Sequence, residues 1–568
     1  MTAASVVRAL EDEGIPFTFG IPGTHNIELY DALGPSRVQP ILVTDEQSAA
    51  FMADGLWRAA GLLGCVNLVP GAGLTHALSG IAEAWQDGIP MLVLSCGIRQ
   101  DSARAWQLHD VDQLAIAAPV VKATMRVERA EDAYPTIREA CALARAGTPG
   151  PVMVEVPVDL YLAGGRLAPG TMRAKPGPPE PAEAELTAAL KILRDARPLL
   201  YVGLGAAGAA ADLVSLAERL GAPVATSISG KGVFPEDHPL FLWNGLGRTA
   251  PPFVRDVVAD RGSMLAIGCR FSEVGTGSWG FEPPGPLVHV DINPSVPGRN
   301  YPAALAVVAD SARFVQAMLP RLPETGPDTL ELTRRIRAGH EQVMEQAQSE
   351  SDPARVNPAR LLGALQEALG PRTIFAADSG NGTFLAMELL RLAGPGRFLA
   401  PVDYSCMGYS VPAAIGAALG RPDAPVVALA GDGAFLMTGL EALTAANHRV
   451  PVAIFVLRDR ELAQIAQFQN TAFHRQVASS LPDYHLAGLA AGLGIEFASL
   501  NHNDGIPAVL AQVRAAMADR RPILIETAID YSRKTWFTRG VVRTTFARLP
   551  WKDRLRFVAR AVGRRLGG

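Results

Sequence analysis

Short apolar runs alternate along most of the chain with longer segments in which apolar residues recur every three or four positions. The runs at 426–430 and 452–457 contain no polar residue, which is typical of strands buried on both faces of a parallel sheet. The spaced apolar positions between such runs predict helices. This alternation predicts an α/β fold of doubly wound parallel sheets with helices on both faces.

The alternation falls into three blocks, which predict three domains at 1–165, 184–320 and 359–535. Strands are predicted at 17–21, 65–69, 91–95, 152–156, 199–202, 264–267 and 287–290. The first linker is rich in proline and contains Pro169, Pro176, Pro178, Pro179 and Pro181. A polar helical connector with Pro353 and Pro358 precedes the third block, and a tail at 541–568 follows it.

The composition fits this organisation and narrows the function classes. A chain of 568 residues is too long for one core. A net charge of −4 gives no reason to expect a nucleic-acid partner. The five cysteines are scattered and form no CxxC pair, so we expect buried thiols in a reducing compartment, the cytoplasm. Neither a signal peptide nor an apolar run of about 18 residues is found.

Acidic residues follow two of the apolar strands. The run 426–430 leads into Gly431, Asp432 and Gly433, a helical stretch follows at 440–447, and Asp459 comes directly after the strand at 452–457. Open α/β sheets bind ligands at the carboxyl ends of their strands. Glycines let the backbone approach a diphosphate, a helix N-terminus favours its charge, and Mg²⁺ bridges carboxylate and phosphate oxygens.

This stretch resembles the diphosphate-binding motif of thiamine diphosphate enzymes, which runs from Gly-Asp-Gly to a paired Asn-Asn. Here the pair is Arg458-Asp459, so Asp459 stands where the family has a metal-binding Asn. The resemblance extends over nearly the whole chain and is to acetolactate synthases, with pyrimidine-binding, middle and diphosphate-binding domains. It implies thiamine diphosphate and Mg²⁺, with Asp432, Asp459 and the Glu461 main-chain carbonyl as metal ligands.

Glu46 is the main catalytic candidate. The segment 45–53 (DEQSAAFMA) resembles the family's His-Glu-Gln-Gly-Ala-x-x-Met-Ala. The resemblance gives Glu46 the role of protonating the aminopyrimidine ring, which promotes a carbanion at the thiazolium C2. That role needs a carboxylic acid in a dry site. The alternative is an acid that balances a helix N-terminus. Asp45 replaces the family's usual His.

The segment 71–76 (GAGLTH) resembles the family's Gly-Pro-Gly-x-Thr-Asn, a loop near the cofactor. Gly73, Thr75 and His76 are therefore cofactor-binding candidates. His76 stands where the family has Asn. Its role is either to line the active site or to satisfy a structural hydrogen bond.

Two further histidines are candidates for the chemistry. His109 aligns with a Gln that faces the reacting carbon in acetolactate synthases, and a His there can act as acid or base near neutral pH. Gln107 is nearby and is predicted to line the substrate pocket. His25 follows the first strand, in a turn that borders the substrate in related decarboxylases. Hydrogen bonding within the loops is the alternative for both histidines.

In the third block the resemblance implies further contacts to the cofactor. The segment 378–381 resembles the loop that contacts the diphosphate, and Met407 stands where the family has a bulky residue that forces the two cofactor rings together. Gln464 and Phe468, four residues apart, share one face of a helix and are predicted to line the substrate pocket. The cofactor-binding candidates of this block are Asp378, Gly380, Asn381, Met407, Gly431, Asp432, Gly433 and Ala434.

The middle block contains a literal GxGxxG at 203–208 after a strand, which is the best sign of a nicotinamide dehydrogenase. The acid expected about twenty residues on is missing, so we interpret the glycines as packing residues. Relatives bind FAD in this domain. The segment 270–274 resembles Arg-Phe-Asp-Asp-Arg of acetolactate synthases without its second Arg, which leaves FAD open.

The tail at 541–568 contains eight lysines and arginines against one aspartate. Trp551, Leu555, Val558, Val562 and Leu566 follow helical spacing, and Arg556, Arg560 and Arg564 lie opposite. The pattern predicts a basic amphipathic helix. It either docks on the acidic body of the protein or a partner subunit, or contacts an anionic membrane surface from the cytoplasm.

The resemblance implies an enzyme that decarboxylates a 2-oxo acid such as pyruvate and adds the acyl unit to a carbonyl acceptor. It also implies a homodimer or tetramer, with each site between the first domain of one subunit and the third domain of another. Two alternatives stay open. One is a simple decarboxylase or a pyruvate oxidase-like enzyme, and the other is a non-catalytic binding or regulatory protein of the same fold.

Overall fold

The computed structural model describes residues 1–163, 177–194, 196–349 and 352–566. Over these residues the chain forms three parallel sheets of six strands each, with helices on both faces. This confirms the predicted α/β class. Among the described residues, no helix is long and apolar enough to cross a membrane.

The first sheet has the strand order β2-β1-β3-β4-β6-β5. Its strands are β1 (Phe17–Gly20), β2 (Gln39–Leu42), β3 (Cys65–Leu68), β4 (Met91–Gly97), β5 (Ala123–Arg126) and β6 (Pro151–Pro157). Its helices are α1 (Thr2–Asp12), α2 (Ile27–Leu33), α3 (Glu46–Ala60), α4 (Ala72–Asp87), α5 (Gln113–Ala117), α6 (Ala133–Arg145) and α7 (Val158–Leu162).

The second sheet has the order β12-β11-β10-β7-β8-β9. Its strands are β7 (Pro198–Val202), β8 (Val224–Thr226), β9 (Phe241–Asn244), β10 (Ser263–Ile267), β11 (Leu287–Asp291) and β12 (Leu305–Val308). The helices are α8 (Glu183–Leu193), α9 (Ala210–Leu220), α10 (Pro252–Ala259), α11 (Ser311–Met318) and the connector α12 (Leu330–Ser349).

The third sheet has the order β14-β13-β15-β16-β18-β17. Its strands are β13 (Ile374–Ala377), β14 (Phe398–Leu399), β15 (Val426–Gly431), β16 (Val452–Leu457), β17 (Glu496–Leu500) and β18 (Ile523–Thr527). The helices are α13 (Pro358–Leu369), α14 (Asn381–Leu389), α15 (Ser410–Gly420), α16 (Asp432–Thr438), α17 (Ala442–Asn447), α18 (Ala463–Phe473), α19 (Leu486–Gly492), α20 (Ile506–Ala518), α21 (Trp536–Arg548) and α22 (Trp551–Leu566).

The first and third sheets share one hydrophobic core, because α3 packs directly against α15. A side-chain carbon at Gly55 would lie 2.1 Å from the Ala413 carbonyl oxygen, and one at Gly416 would lie 2.0 Å from that of Met52. Glycine is therefore required at both crossing points. This contact sets the position of one sheet edge relative to the other.

The structure corrects several local expectations. The helix after β15 begins at Asp432 and not near 440, because the Gly-Asp-Gly turn itself forms the first helical turn. Gly73, Thr75 and His76 lie on the first turn of α4 and not in a loop.

In the tail, Pro550 separates α21 from α22, and α22 begins at Trp551, where the predicted amphipathic helix begins. The Phe557 ring of α22 packs against Phe546 of α21 and against Phe473 of α18 on the body, at centroid distances of 5.6 Å and 6.3 Å. Trp551, Leu555 and Val558 are exposed. The side chains of Val562, Leu566 and Arg564 and the linker residues Pro169 and Pro176 lie outside the described residues.

Candidate active site

The first sheet brings most of its candidate residues to one edge. Because all six strands are parallel, the segments after their carboxyl ends emerge together. Glu46 follows β2, His25 follows β1, His76 follows β3 and His109 follows β4. The strand order places these four segments side by side in the sequence β2-β1-β3-β4.

Glu46 is the first residue of α3, and the Asp45 side chain caps that helix by accepting a hydrogen bond from the Gln47 N–H at 2.8 Å. The Glu46 residue is only 9% exposed. Within the described residues its carboxylate has no hydrogen-bond partner, and its polar contact is His76 Nδ1, 3.4 Å from Oε2. The other oxygen, Oε1, lies against Gly73. A nearly buried carboxylate without a donor is suited to a ligand that supplies one.

His25 and His109 come together although the sequence places them in separate loops. Their rings meet edge to face with 5.3 Å between centroids. Burial, and then the neighbouring His109, lower the pKa of His25 below its ordinary value. His109 has a φ of +66°, a strained conformation for a residue with a side chain. The two imidazoles therefore form one cluster at the sheet edge.

A cavity of about 520 Å³ adjoins His109. Gln113 lines this cavity, and its side chain donates a hydrogen bond to Glu155 Oε2 at 2.6 Å and accepts one from the Ser95 hydroxyl at 2.9 Å. Gln107 is half-buried and donates to the Arg99 carbonyl at 3.1 Å. Gln107 thus supports the 99–107 loop, and its predicted place in the substrate pocket stays a prediction.

In the third sheet, Asp432 and Asp459 follow the adjacent strands β15 and β16, whose last residues Gly431 and Leu457 pair in register. Asp432 accepts hydrogen bonds from the Gly433 and Arg460 N–H groups at 2.9 Å and 2.8 Å. Burial raises the pKa of Asp432. Burial and the nearby Asp432 charge raise the pKa of Asp459 to about 7. A buried and a half-buried carboxylate that repel each other are costly without a cation, which fits a metal site.

Arg458 does not pair with either aspartate. Its guanidinium contacts Glu526 and Asp483 and donates to the Tyr484 carbonyl at 2.7 Å. It also lies over the Tyr484 ring, 4.4 Å from the centroid. The side-chain oxygens of Asp432 and Asp459 are therefore not occupied by the Arg458 guanidinium. Sequence reasoning offered no role for Arg458, because its acidic partners come from distant segments.

The Glu461 segment is held by pairing with residues 479–481. The Leu462 N–H donates to the Ser479 carbonyl at 2.7 Å, and the Leu481 N–H donates to the Arg460 carbonyl at 2.8 Å. The intervening Glu461 carbonyl follows Asp459 by two residues. Its role as a metal ligand stays a prediction.

Asp378 is fully buried and its carboxylate is fully occupied. It accepts hydrogen bonds from the Ser379, Gly408 and Ser410 N–H groups and from the Ser410 hydroxyl, at 2.8–3.0 Å. Burial raises its pKa in spite of these donors. Asp378 thus ties the 378–381 loop to the 405–410 loop, and its predicted contact with the cofactor stays a prediction.

The remaining third-domain candidates surround these loops. Gly380, with a φ of +120°, caps α14, and a side-chain carbon there would lie 3.7 Å from Gln464 Oε1. Asn381 is buried, and its Oδ1 has no hydrogen-bond partner among the residues that the structure describes. The Met407 methyl lies against Gly433. Ala434 is buried at the start of α16, and Phe468 is half-buried on α18.

One positioning contact escaped the sequence analysis. The buried Glu441 carboxylate accepts hydrogen bonds from the Thr44 N–H and hydroxyl, at 3.2 Å and 2.6 Å. Thr44 lies two residues before Glu46, so the third domain of the same chain holds the Glu46 turn in place. No sequence signal links positions so far apart.

Three family models match the chain. They are the N-terminal TPP binding domain of thiamine pyrophosphate enzymes over 1–116, their central domain over 186–318 and their C-terminal TPP binding domain over 378–527. The sheets, the edge residues and these matches agree. The chain therefore belongs to the thiamine pyrophosphate enzymes.

Several curated proteins are similar over most of the chain. A probable acetolactate synthase large subunit of Methanocaldococcus jannaschii is 31% identical over 93% of this chain and 92% of its own. A probable 2-ketoarginine decarboxylase of Pseudomonas aeruginosa is 32% identical over 81% and 82%. The acetolactate synthase isozyme 3 large subunit of Escherichia coli is 29% identical over 94% and 96%.

Proposed function

We propose that the protein is a thiamine diphosphate- and Mg²⁺-dependent enzyme that decarboxylates a 2-oxo acid and joins the acyl unit to a carbonyl acceptor. The observation that carries this proposal is the pair of sheet edges. One edge holds Glu46, a nearly buried carboxylate without a hydrogen-bond donor, and the other holds the close carboxylates Asp432 and Asp459. The family membership and the acetolactate synthase relatives support it.

The residues of the third domain fit a metal–diphosphate group. Asp432 and Asp459, with the Glu461 carbonyl, would hold Mg²⁺, a cation that prefers oxygen ligands. The Asn381 Oδ1, which lacks a partner in the structure, offers a further oxygen at the Gly380 turn. When bound, thiamine diphosphate supplies a nucleophilic carbon and an electron sink for the loss of CO₂.

The side chains at the first sheet edge handle protons. Glu46 would exchange a proton with a ring nitrogen of the bound cofactor, and the burial of Glu46 keeps that exchange away from bulk water. His25 and His109 lie close enough to share the transfer of a proton to or from the substrate. In the third domain, Met407 against Gly433 would orient the bound ring system.

The test is a reconstituted assay with purified full-length protein, thiamine diphosphate and Mg²⁺, across a panel of 2-oxo acids with and without carbonyl acceptors. We expect CO₂ release that depends on the cofactor, and a new C–C bond when an acceptor is present. Calorimetric titration of the cofactor should show binding to the wild type and Glu46→Gln, and none to Asp432→Ala. Absence of cofactor-dependent CO₂ release across the panel would overturn the proposal in favour of a non-catalytic protein.

A second candidate, decarboxylation without carboligation, is favoured by His109. This residue stands where acetolactate synthases have Gln, and the 2-ketoarginine decarboxylase relative matches four fifths of the chain. An acid at this place would protonate the reacting carbon before an acceptor adds. The ratio of free aldehyde to coupled product decides between the two candidates.

The proposed assembly is a homodimer or tetramer. The helices that follow Asp432 expose a run of apolar side chains, which are Leu436, Met437, Leu440 and Leu443. An apolar surface beside the site is typical of a subunit interface. Light scattering in solution measures the mass, and a monomer at working concentration would contradict the assembly.

Two further proposals concern the flavin and the tail. The proposed reaction does not require FAD. In the middle domain, Gly203 packs closely onto Gly268, because a side-chain carbon at Gly203 would lie 2.0 Å from the Gly268 carbonyl oxygen. A flavin absorption spectrum of the purified protein would show that it also binds FAD. We expect a cytoplasmic protein whose tail docks on the body or on a partner subunit, as the Phe557 contact to Phe473 supports. The alternative is contact with an anionic membrane surface through the exposed Trp551, Leu555 and Val558, and co-sedimentation with anionic vesicles decides between the two.

A further inference from the structure

We propose that Asp45, Glu46 and His76 form a binding site for a transition-metal dication such as Zn²⁺, separate from the proposed Mg²⁺ site. One oxygen of each carboxylate and one ring nitrogen of His76 all lie within 4.8 Å of one another. His76 Nδ1 is 3.4 Å from Glu46 Oε2 and 3.9 Å from Asp45 Oδ2. Zinc bonds of about 2.0–2.1 Å in a tetrahedron place neighbouring ligand atoms about 3.3 Å apart, so small side-chain adjustments close the site.

The surroundings of the Glu46 carboxylate also fit a cation. The side chain is only 12% exposed, and within the described part of the chain its polar contact is the His76 ring nitrogen, with no hydrogen bond to another group. Its Oε2 faces the His76 ring, where the metal would lie. A carboxylate in such surroundings is stabilised by a bound cation.

The other two ligands are arranged to receive an ion from solvent. The capping hydrogen bond from the Gln47 N–H holds Asp45 Oδ1 and leaves Oδ2 towards His76. The side chains of His76 and Asp45 are 63% and 45% exposed, which gives an entry path. Three protein ligands leave a fourth position for water, as in open zinc sites.

Charge and ligand type favour a transition metal over Mg²⁺ here. Two carboxylates bring a charge of −2 to the site, which outweighs the partial positive charge of about +0.5 at the N-terminus of α3. Imidazole nitrogen suits Zn²⁺, Cu²⁺ and Ni²⁺, whereas Mg²⁺ prefers oxygen ligands alone. The site would thus select a different ion from the Asp432–Asp459 pair.

Two of the three proposed ligands are residues at which this chain differs from the family pattern. Asp45 stands in place of the usual His, and His76 in place of the usual Asn. His76 adds an imidazole, and Asp45 exchanges an imidazole for a carboxylate, so both positions offer a metal ligand beside the one acid that the proposed function needs. This consequence rests on the proposed function: a metal on Glu46 Oε2 competes with the cofactor ring, so Zn²⁺ acts as a reversible inhibitor.

The first experiment measures Zn²⁺ alone against metal-free, full-length protein by calorimetry, in excess Mg²⁺ and in an Asp432→Asn background, so that the aspartate pair of the third domain does not contribute. We expect one Zn²⁺ per chain. His76→Asn, Asp45→Asn and Glu46→Gln should each weaken binding about tenfold or more. Asp45→Asn keeps an N-cap residue, and His502→Asn, an exposed histidine elsewhere, is the matched control.

Co²⁺ provides a spectroscopic check, since its visible absorption reports four-coordinate binding and should be lost in His76→Asn but kept in His502→Asn. The absence of stoichiometric Zn²⁺ binding would overturn the site, and so would equal affinity in the wild type and His76→Asn. Circular dichroism confirms that each variant is folded.

The second experiment separates the site from the proposed function. Thiamine diphosphate is titrated with Mg²⁺ into wild type and Asp45→Asn, each with and without saturating Zn²⁺. We expect Zn²⁺ to weaken cofactor binding about tenfold in the wild type and much less in Asp45→Asn. Equal cofactor affinity with and without Zn²⁺ would overturn the inhibition, whereas no cofactor binding in Zn²⁺-free wild type would overturn the proposed function.

Discussion

The rings of His25 and His109 meet edge to face with 5.3 Å between their centroids, although the residues follow different strands of the first sheet. Strands β1 and β4 are not neighbours, since β3 lies between them. Two loops must therefore reach over β3 to make this contact. The strained backbone of His109, with φ +66°, is part of that arrangement.

This contact predicts a measurable change in His25. Burial is the larger cause of its lowered pKa and the His109 charge is the smaller one. We expect His109→Gln to raise the pKa of His25 only part of the way to its ordinary value, as followed by NMR of the ring protons against pH. His502→Asn should leave it unchanged. A pKa that stays fixed or falls in His109→Gln would contradict the contact.

A second prediction concerns Asp459, whose pKa is raised from 3.8 to about 7. Between these values the folded metal-free protein keeps a proton that the unfolded chain releases, so folding loses stability as the pH rises through this window. The loss approaches about 1.4 kcal/mol per pH unit and is complete above pH 7. We expect Asp459→Asn to raise the Tm of the metal-free protein most at pH 8.

Added Mg²⁺ should reverse the order of the two Tm values, so that the wild type becomes more stable than Asp459→Asn. The ionised Asp459 is a proposed ligand, so Mg²⁺ stabilises the wild type more than Asp459→Asn. Thermal unfolding at pH 5 and pH 8, with Mg²⁺ or with a chelator, measures both effects. Equal Tm values for the two proteins at pH 8 without metal would contradict the carboxylate repulsion.

The α3–α15 crossing predicts opposite effects for two glycine-to-alanine changes. Gly416→Ala places a carbon 2.0 Å from the Met52 carbonyl oxygen, which forces the helices apart and should cost about 1–3 kcal/mol. Gly363→Ala is the matched control, since it lies inside α13 with no atom within 4 Å of the new carbon. We expect the control to stabilise the helix by about 0.5–1 kcal/mol and therefore to raise Tm.

A fourth prediction concerns the stability cost of removing the Tyr409 hydroxyl. It donates to Asp54 Oδ1 at 2.5 Å in the buried boundary between the first and third domains, where Arg58 also holds Asp54 at 2.7 Å. Tyr409→Phe should cost about 1.5–3 kcal/mol, the range for hydrogen bonds to charged groups.

Tyr134→Phe removes a hydroxyl bonded to Asp12 at an exposed position, so its cost should stay within about 0.5 kcal/mol. Chemical denaturation compares the two variants with the wild type. Equal midpoints for Tyr409→Phe and the wild type would show that Arg58 alone satisfies Asp54.

The strand boundaries show how well the local pattern of apolar residues predicts the strands. The predicted strand at 452–457 matches β16 at both ends, and the other predicted strands differ from the structure by one or two residues at an end. Continuous apolar runs determine buried strands because nearly every side chain of such a strand is enclosed. The half-exposed edge strand Gln39–Leu42 carries only part of that signal.

Helix starts were less predictable. The helix at Asp432 and the helical placement of Gly73 and His76 were missed because glycine is usually read as a turn or loop residue. The helix α16 begins directly after β15, and only three residues separate the end of β3 from the start of α4. Tertiary packing then overrides the weak local preference.

The sequence by itself determined the α/β class, the three blocks and the acids that follow particular strands, because periodicity and strand ends are local properties of the chain. Only the tertiary structure decided that His25 touches His109, that Arg458 turns to Glu526 and Asp483, and that Glu46 faces His76 without a donor. Such contacts join distant segments. They depend on strand order and on the crossing of α3 and α15, which the pattern along the chain does not encode.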